Sequence, residues 1–230
     1  MIKKLLFDAD GTLWDFDASA RLGFETIFAR RGWEYTPAFF DGYTRINNGL
    51  WERYERGEMS RDRVLVERFD LLFAKLGINA SGAAFEDEFR EELETNPVWM
   101  DGAEELLQVL RPDHDIYIVT NGVASTQRKR IAITGLDRYV DEFFISEEIG
   151  AQKPQRAFFD YVLSRIGPCS TDEMMLIGDS LSADILGANR AGIPSCWFNP
   201  SGVPLKGEAC PDHIIHELKE LPALLRWTAR

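Results

Sequence analysis

An apolar run, Leu5-Leu6-Phe7, stops abruptly at Asp8-Ala9-Asp10-Gly11-Thr12. A short run of this kind reads as a strand, and the five residues after it read as a turn. Two carboxylates one residue apart at such a strand end repel each other, and burying either one unpaired is costly. A hard divalent cation such as Mg²⁺ removes the conflict, and one carboxylate held by metal leaves the other free for proton transfer. The same stretch also reads as a plain strand-end turn. On its own it leaves both readings open.

Further along, other polar residues fall at or just after expected strand ends: Thr120-Asn121-Gly122, Lys153 before Pro154, and Gly178-Asp179 followed by Asp184. Taken singly, these are a turn, a surface lysine, another turn and an exposed helical acid. Taken together, they bring acids, one amine, one hydroxyl and glycine-flanked backbone amides to one sheet edge. That set suits phosphoryl transfer, in which catalysis is largely positioning and charge stabilisation.

The elements that must position them follow from periodicity. Residues 18–31, 37–57, 60–76 and 83–94 read as helices. The second is expected to bend near Asn47-Asn48-Gly49. The third carries Val64, Leu65, Phe69, Leu72, Phe73 and Leu76 on one face and stops at Gly77. No strand is expected between Thr12 and Met100. Beyond Met100 the pattern alternates. Asp101 is expected to cap a helix through Leu110, and strands are expected at 115–119, 143–145, 173–177 and 195–198, with one more at Ile214-Ile215. Helices are expected at 125–134, 156–166, 182–191 and 218–227. Strands alternating with helices imply a parallel sheet covered on both faces, with ligands at the carboxyl ends of its strands.

The ordered set Asp8-Ala9-Asp10-Gly11-Thr12, Thr120, Lys153 and Gly178-Asp179-Ser180-Leu181-Ser182-Ala183-Asp184 resembles the phosphatases of the haloacid dehalogenase superfamily. The resemblance implies an α/β fold: a Rossmann-like parallel-sheet core, residues 1–14 and 97–230, with a smaller all-helical cap domain, residues 15–96, inserted after the first strand. It implies that Asp8 attacks phosphorus to form an aspartyl-phosphate, and that Asp10 is the general acid and base. Mg²⁺ would be held by the Asp8 and Asp179 carboxylates and the Asp10 carbonyl. Asp184 would orient metal waters or Lys153, while Thr120, the amides around Asn121-Gly122 and Lys153 would hold the phosphoryl oxygens. Dehalogenases of the family lack the second Asp, so Asp10 argues for phosphate over halide. Trp14-Asp15 and the stretch Arg45–Tyr54 are similar to the pyrimidine 5′-nucleotidase branch, which makes Asn47 and Trp51 candidates for reading the substrate; packing among helices is the other reading of Trp51. A phosphoglycolate- or sugar-phosphate-type phosphatase, or a phosphomutase, is the alternative. A regulatory phosphoacceptor module is remoter, because in such modules the lysine comes last, whereas Lys153 precedes Asp179.

Composition narrows the partners. The 230 residues are 45% hydrophobic and 28% charged, with a net charge of −12, ordinary for a globular chain with a sizeable core. That excess repels nucleic acid and anionic membrane, so the expected partner is a small phosphorylated substrate met by local positive charge. Three cysteines without CxxC spacing, no apolar leader and no membrane-length run point to a cytoplasmic protein. Nothing in the sequence specifies an oligomeric state. His114, His213 and His216 are expected in surface or capping roles, and Arg128-Lys129-Arg130 is expected as a solvated helix face.

Overall fold

Each central strand of the sheet is built on an unbroken apolar run, residues 5–7, 116–119 and 174–177, because both faces of the sheet are covered. In the computed structural model, which describes residues 1–227, β1 (Lys4–Phe7), β2 (Asp115–Thr120), β3 (Glu142–Ile145), β4 (Met174–Gly178), β5 (Ser195–Phe198) and β6 (His213–Ile215) form one parallel sheet in the order β3-β2-β1-β4-β5-β6. Leu5, Phe7, Ile116, Ile118, Met175 and Ile177 point into one core. Their neighbours Leu6, Tyr117, Val119, Met174 and Leu176 point into the other. The period-two alternation of a strand therefore divides apolar residues between two cores rather than between core and water.

Ten helices complete the described chain: α1 (Phe16–Arg31), α2 (Pro37–Glu55), α3 (Arg61–Leu76), α4 (Gly82–Thr95), α5 (Ala103–Leu110), α6 (Ala124–Thr134), α7 (Ser146–Ile149), α8 (Arg156–Arg165), α9 (Leu186–Ala191) and α10 (Leu221–Trp227). The first core takes side chains from α5, α6 and α10, and the second from α8 and α9. The chain divides into two units, Met1–Phe16 with Val98–Arg230, and Asp17–Pro97. Among the described residues, no helix is long and apolar enough to cross a membrane.

The second unit is helical throughout, with an aromatic core. Phe24 stacks on Phe89 at 4.5 Å and meets Tyr43 edge-on at 4.7 Å. Inside this unit the Arg68 guanidinium is fully buried against Glu86, at 2.6 and 2.7 Å, and donates to Asn47 Oδ1 at 3.1 Å. Arg68 thus takes a place on the buried face of α3, whereas Leu76, expected there, is exposed. Helix α2 runs unbroken through Asn47-Asn48-Gly49, because one Gly without a following Pro weakens a helix but does not stop it. Asp101 does not cap α5. Gly102 holds that position with φ of +72°, a left-handed conformation that glycine reaches without a Cβ clash. The expected helix at 182–191 opens with a wider π turn, Leu181–Ile185, before α9, and α7 was not anticipated.

Candidate active site

Strand β1 lies between β2 and β4, and the chain turns to opposite sides of the sheet from this point, so a crevice opens at the carboxyl ends of β1 and β4. Asp8 follows β1 directly and Asp179 follows β4. After Asp8 the chain doubles back. The Ala9 carbonyl accepts hydrogen bonds from Leu13 and Trp14, at 2.9 and 2.8 Å, and Gly11 N–H donates to the Trp14 carbonyl at 2.8 Å. Gly11 takes φ of +85°, and a Cβ there would lie 2.5 Å from Asp179 Oδ2. The same economy recurs at Gly178, where a Cβ would lie 2.4 Å from the Asp184 carboxyl. Glycine is required at both because the next motif's carboxylate occupies the space.

Lys153 is buried at the centre of the cluster. Its ammonium donates to Asp8 Oδ1 at 2.6 Å, Asp184 Oδ1 at 2.6 Å and the Val119 carbonyl at 2.7 Å, which uses all three N–H bonds. Its backbone is fixed by Asn121, whose side-chain amide donates to the Lys153 carbonyl and accepts from its N–H, both at 3.0 Å. Asn121 is therefore a clamp on Lys153 through its side chain. Thr120 Oγ1 accepts from Gly122 N–H at 3.0 Å and from Gln127 Nε2 at 3.3 Å. With both lone pairs engaged, its own proton is the group left to offer a ligand. The Gly122 amide, expected to face a ligand, is spent on this hydroxyl instead.

Carboxylate oxygens of Asp8, Asp179 and Asp184 lie within 4.8 Å of one another. Three carboxylates against one ammonium leave negative charge unanswered. Burial, opposed by Lys153 and reinforced by Asp184 and Asp10, pushes the Asp8 carboxyl up to about 7. Close packing, then the charges of Asp8 and Asp184, raises Asp179 well above the ordinary range, although its side chain keeps access to water. Lys153 is held firmly protonated: its carboxylate partners outweigh its burial. This donor set fits a hard divalent cation, which would reverse both upward carboxylate shifts. Asp184 gives one oxygen to Lys153 and the other to Ser180 N–H at 3.1 Å, so Asp8 and Asp179 are the carboxylates better placed to hold it.

Asp10 stands apart from that trio. Gln127 Nε2 donates to its Oδ2 at 2.5 Å, and Arg130 Nη1 is paired with its Oδ1. Both donors come from α6; Gln127 was not singled out in the sequence, and Arg130 was expected on a solvated face. Arg128 and Lys129 of the basic triplet bear out a solvated face, both being exposed, with Arg128 paired to Glu148. Arg130 is 1% exposed. The available signal was spacing, since Gln127 lies four residues before Ile131 and Arg130 four after Thr126, on the buried side of the helix. Asn47 and Trp51 belong to the helical unit: Asn47 is buried against Arg68, and Trp51 is half-buried beside Leu50, Tyr54 and Met59. Among the histidines, His216 Nδ1 lies 2.6 Å from the Asn199 carbonyl and His114 Nδ1 lies 3.1 Å from that of Leu110.

A family model described as haloacid dehalogenase-like hydrolase matches residues 2–192. The HAD-hydrolase YfnB of Bacillus subtilis (strain 168) is 40% identical over 97% of this chain and 95% of its own. A magnesium-bound crystal structure of YfnB superposes with a TM-score of 0.92, covering 97% of this chain and 98% of that one. The pyrimidine 5′-nucleotidase PynA of Streptococcus pneumoniae is 33% identical over 95% of this chain and 93% of its own. The pyrimidine 5′-nucleotidase YjjG of Escherichia coli is 31% identical over 96% of each. With one family model spanning most of its length and such relatives along nearly all of it, the chain belongs to the haloacid dehalogenase-like hydrolase family.

Proposed function

We propose that this hydrolase cleaves phosphomonoesters through an aspartyl-phosphate on Asp8, and that its substrates are pyrimidine nucleoside 5′-monophosphates. The observation that carries the reading is the convergence of Asp8, Asp179, Asp184 and Lys153 at the carboxyl ends of β1 and β4, with Asp8 and Asp184 hydrogen-bonded to the one buried ammonium and Asp179 within 4.8 Å of both carboxylates. Carboxylate nucleophiles need their charge balanced without being neutralised by a proton, and Lys153 against Asp8 Oδ1 does this.

In this reading Asp8 attacks phosphorus. Thr120 donates its hydroxyl proton to a phosphoryl oxygen. As Asp8 loses charge to the new P–O bond, an N–H of Lys153 turns from it to the phosphoryl group. Asp10, whose side chain keeps 27% exposure, protonates the leaving oxygen and then takes a proton from the water that releases phosphate, one group serving both half-reactions. Mg²⁺, held by Asp8, Asp179 and the Asp10 carbonyl, would neutralise charge on the transferring phosphoryl group. Asp184 holds Lys153 in place. Residues 17–97 are the proposed source of substrate selection, and the nucleotidase reading is supported by PynA and YjjG. A sugar-phosphate ester is the alternative.

The test is phosphate release from UMP, dUMP, dTMP, AMP, GMP, phosphoglycolate and sugar phosphates, with Mg²⁺ and with EDTA. Mg²⁺-dependent preference for uridine and thymidine monophosphates is expected. Preference for sugar phosphates would keep the reaction and remove the nucleotide. No release from any ester would remove the reaction.

A further inference from the structure

The Asp10 side chain is gripped by two residues to which the proposed reaction gives no role. Gln127 Nε2 holds Oδ2 and Arg130 Nη1 holds Oδ1, and the two donors sit three residues apart on α6, on its buried side. Gln127 also reaches Thr120 Oγ1 at 3.3 Å, so one amide joins the phosphoryl-facing hydroxyl to the proposed proton-transfer group. Room for this amide exists because residue 122 is glycine: a Cβ there would lie 1.9 Å from Gln127 Nε2.

Arg130 is poorly explained as a stabilising residue. Its guanidinium is buried, and Nε and Nη2 find no hydrogen-bond partner among the described residues. A buried charge with unmatched donors costs stability relative to an apolar side chain of similar volume. What it does have is a platform and a target: its guanidinium lies 4.3 Å from the centroid of the Trp14 ring, and Trp14 is bridged to Asp10 through the backbone of the loop after β1. Arg130 is thereby aimed at Asp10 from the side opposite to solvent.

We propose that Arg130 and Gln127 are positioning residues for Asp10, fixing the direction of its carboxylate from α6 and coupling it through Gln127 to Thr120. This rests on the phosphomonoesterase reading of the site. Each Asp10 oxygen accepts one of these bonds and keeps a further lone pair, so the group is oriented without being blocked. An acid that must serve two half-reactions benefits from being held by rigid helix-borne donors, because misplacement by about 1 Å can cost on the order of 10²-fold in rate.

The experiment compares wild type, Gln127→Leu, Arg130→Met, Arg130→Lys and Asp10→Asn on p-nitrophenyl phosphate, whose leaving group needs little protonation, and on an alkyl phosphate, whose leaving group needs it. Wild-type turnover of the two esters tests the phosphatase reading by itself. Gln127→Leu and Arg130→Met are expected to lower kcat on the alkyl ester by about 10–10²-fold, a part of what general acid catalysis supplies, with KM nearly unchanged and a much smaller loss on the aryl ester. Arg130→Lys should recover part of the loss. In the Asp10→Asn background, adding Arg130→Met should change kcat by less than about twofold, because the residue acts through Asp10. Equal losses on both esters, or losses that add in the double variant, would assign the two residues a general structural role and overturn the proposal. Crystal structures of Gln127→Leu and Arg130→Met supply a readout independent of turnover. Asp10 turned from its present direction supports the proposal, and Asp10 unmoved in both variants overturns it.

Discussion

Replacing Lys153 by Met tests the electrostatic logic of the cluster. Methionine keeps an unbranched apolar stem of similar length and removes only the ammonium. The three bonds lost are those to Asp8 Oδ1, Asp184 Oδ1 and the Val119 carbonyl, at 2.6, 2.6 and 2.7 Å. Both carboxylate partners are buried, so neither can recover its hydration, and Asp179 adds a third like charge within 4.8 Å. Removing one partner from a buried ion pair costs about 3–5 kcal/mol, a large part of a total stability of about 5–15 kcal/mol. For a chain of this length each kcal/mol moves Tm by about 2–4 °C, so a deficit of about 6–20 °C is expected in EDTA near neutral pH.

Two further readouts separate charge from packing. The orphaned carboxylates in the variant take up protons in the folded state at pH values where the unfolded chain does not, so the deficit must shrink as pH falls toward about 5. Mg²⁺ brings positive charge to the same oxygens and binds only the folded chain, so it should restore more stability to the variant than to wild type if both bind it. The assay is thermal unfolding followed by circular dichroism across pH, with EDTA and with Mg²⁺. A deficit below about 2 °C, or one that stays constant between neutral and acid pH, would refute the reasoning, because a lost apolar contact does not titrate.

Asp8→Asn should lower turnover by a factor on the order of 10⁴ or more while leaving the circular dichroism spectrum and Tm near wild type; full activity, with mass spectrometry excluding deamidation back to Asp, would remove Asp8 as nucleophile. In metal-free protein Asp8 is raised from 3.8 to about 7, first by burial, so the folded chain binds more protons than the unfolded one between these values. Metal-free stability must then fall as pH rises through that window, and the Tm gain from Mg²⁺ should be larger at its top than at its bottom; equal gains would contradict the assignment. Gly11→Ala places a Cβ 2.5 Å from Asp179 Oδ2 at φ of +85°. It should cost about 1–2 kcal/mol in backbone strain and weaken Mg²⁺ binding measured by calorimetry, whereas Gly32→Ala, with open space around the Cβ, should show strain alone.

The strands and their ends were legible because a sheet buried on both faces turns each strand into an unbroken apolar run, and the first polar residue after it marks the carboxyl edge. Asp8, Thr120 and Asp179 were found in this way, and the α/β architecture with them. What escaped is the polar interior. Reading a helix by its apolar stripe assumes that the inner face is apolar, and α6 violates this with Thr126, Gln127 and Arg130; α3 does the same with Arg68. In both helices the buried cation is paired with a carboxylate distant in sequence, at separations of 120 and 18 residues, and no local pattern records such a partner. The glycines mark the same boundary from the other side. Gly11, Gly122 and Gly178 read as turn formers, but each also clears the volume that another side chain fills: Asp179, Gln127 and Asp184 in turn. A glycine beside an acid or amide at a strand end thus carries two messages. The turn is visible in the sequence, whereas the neighbour it makes room for appears only when the strands are side by side.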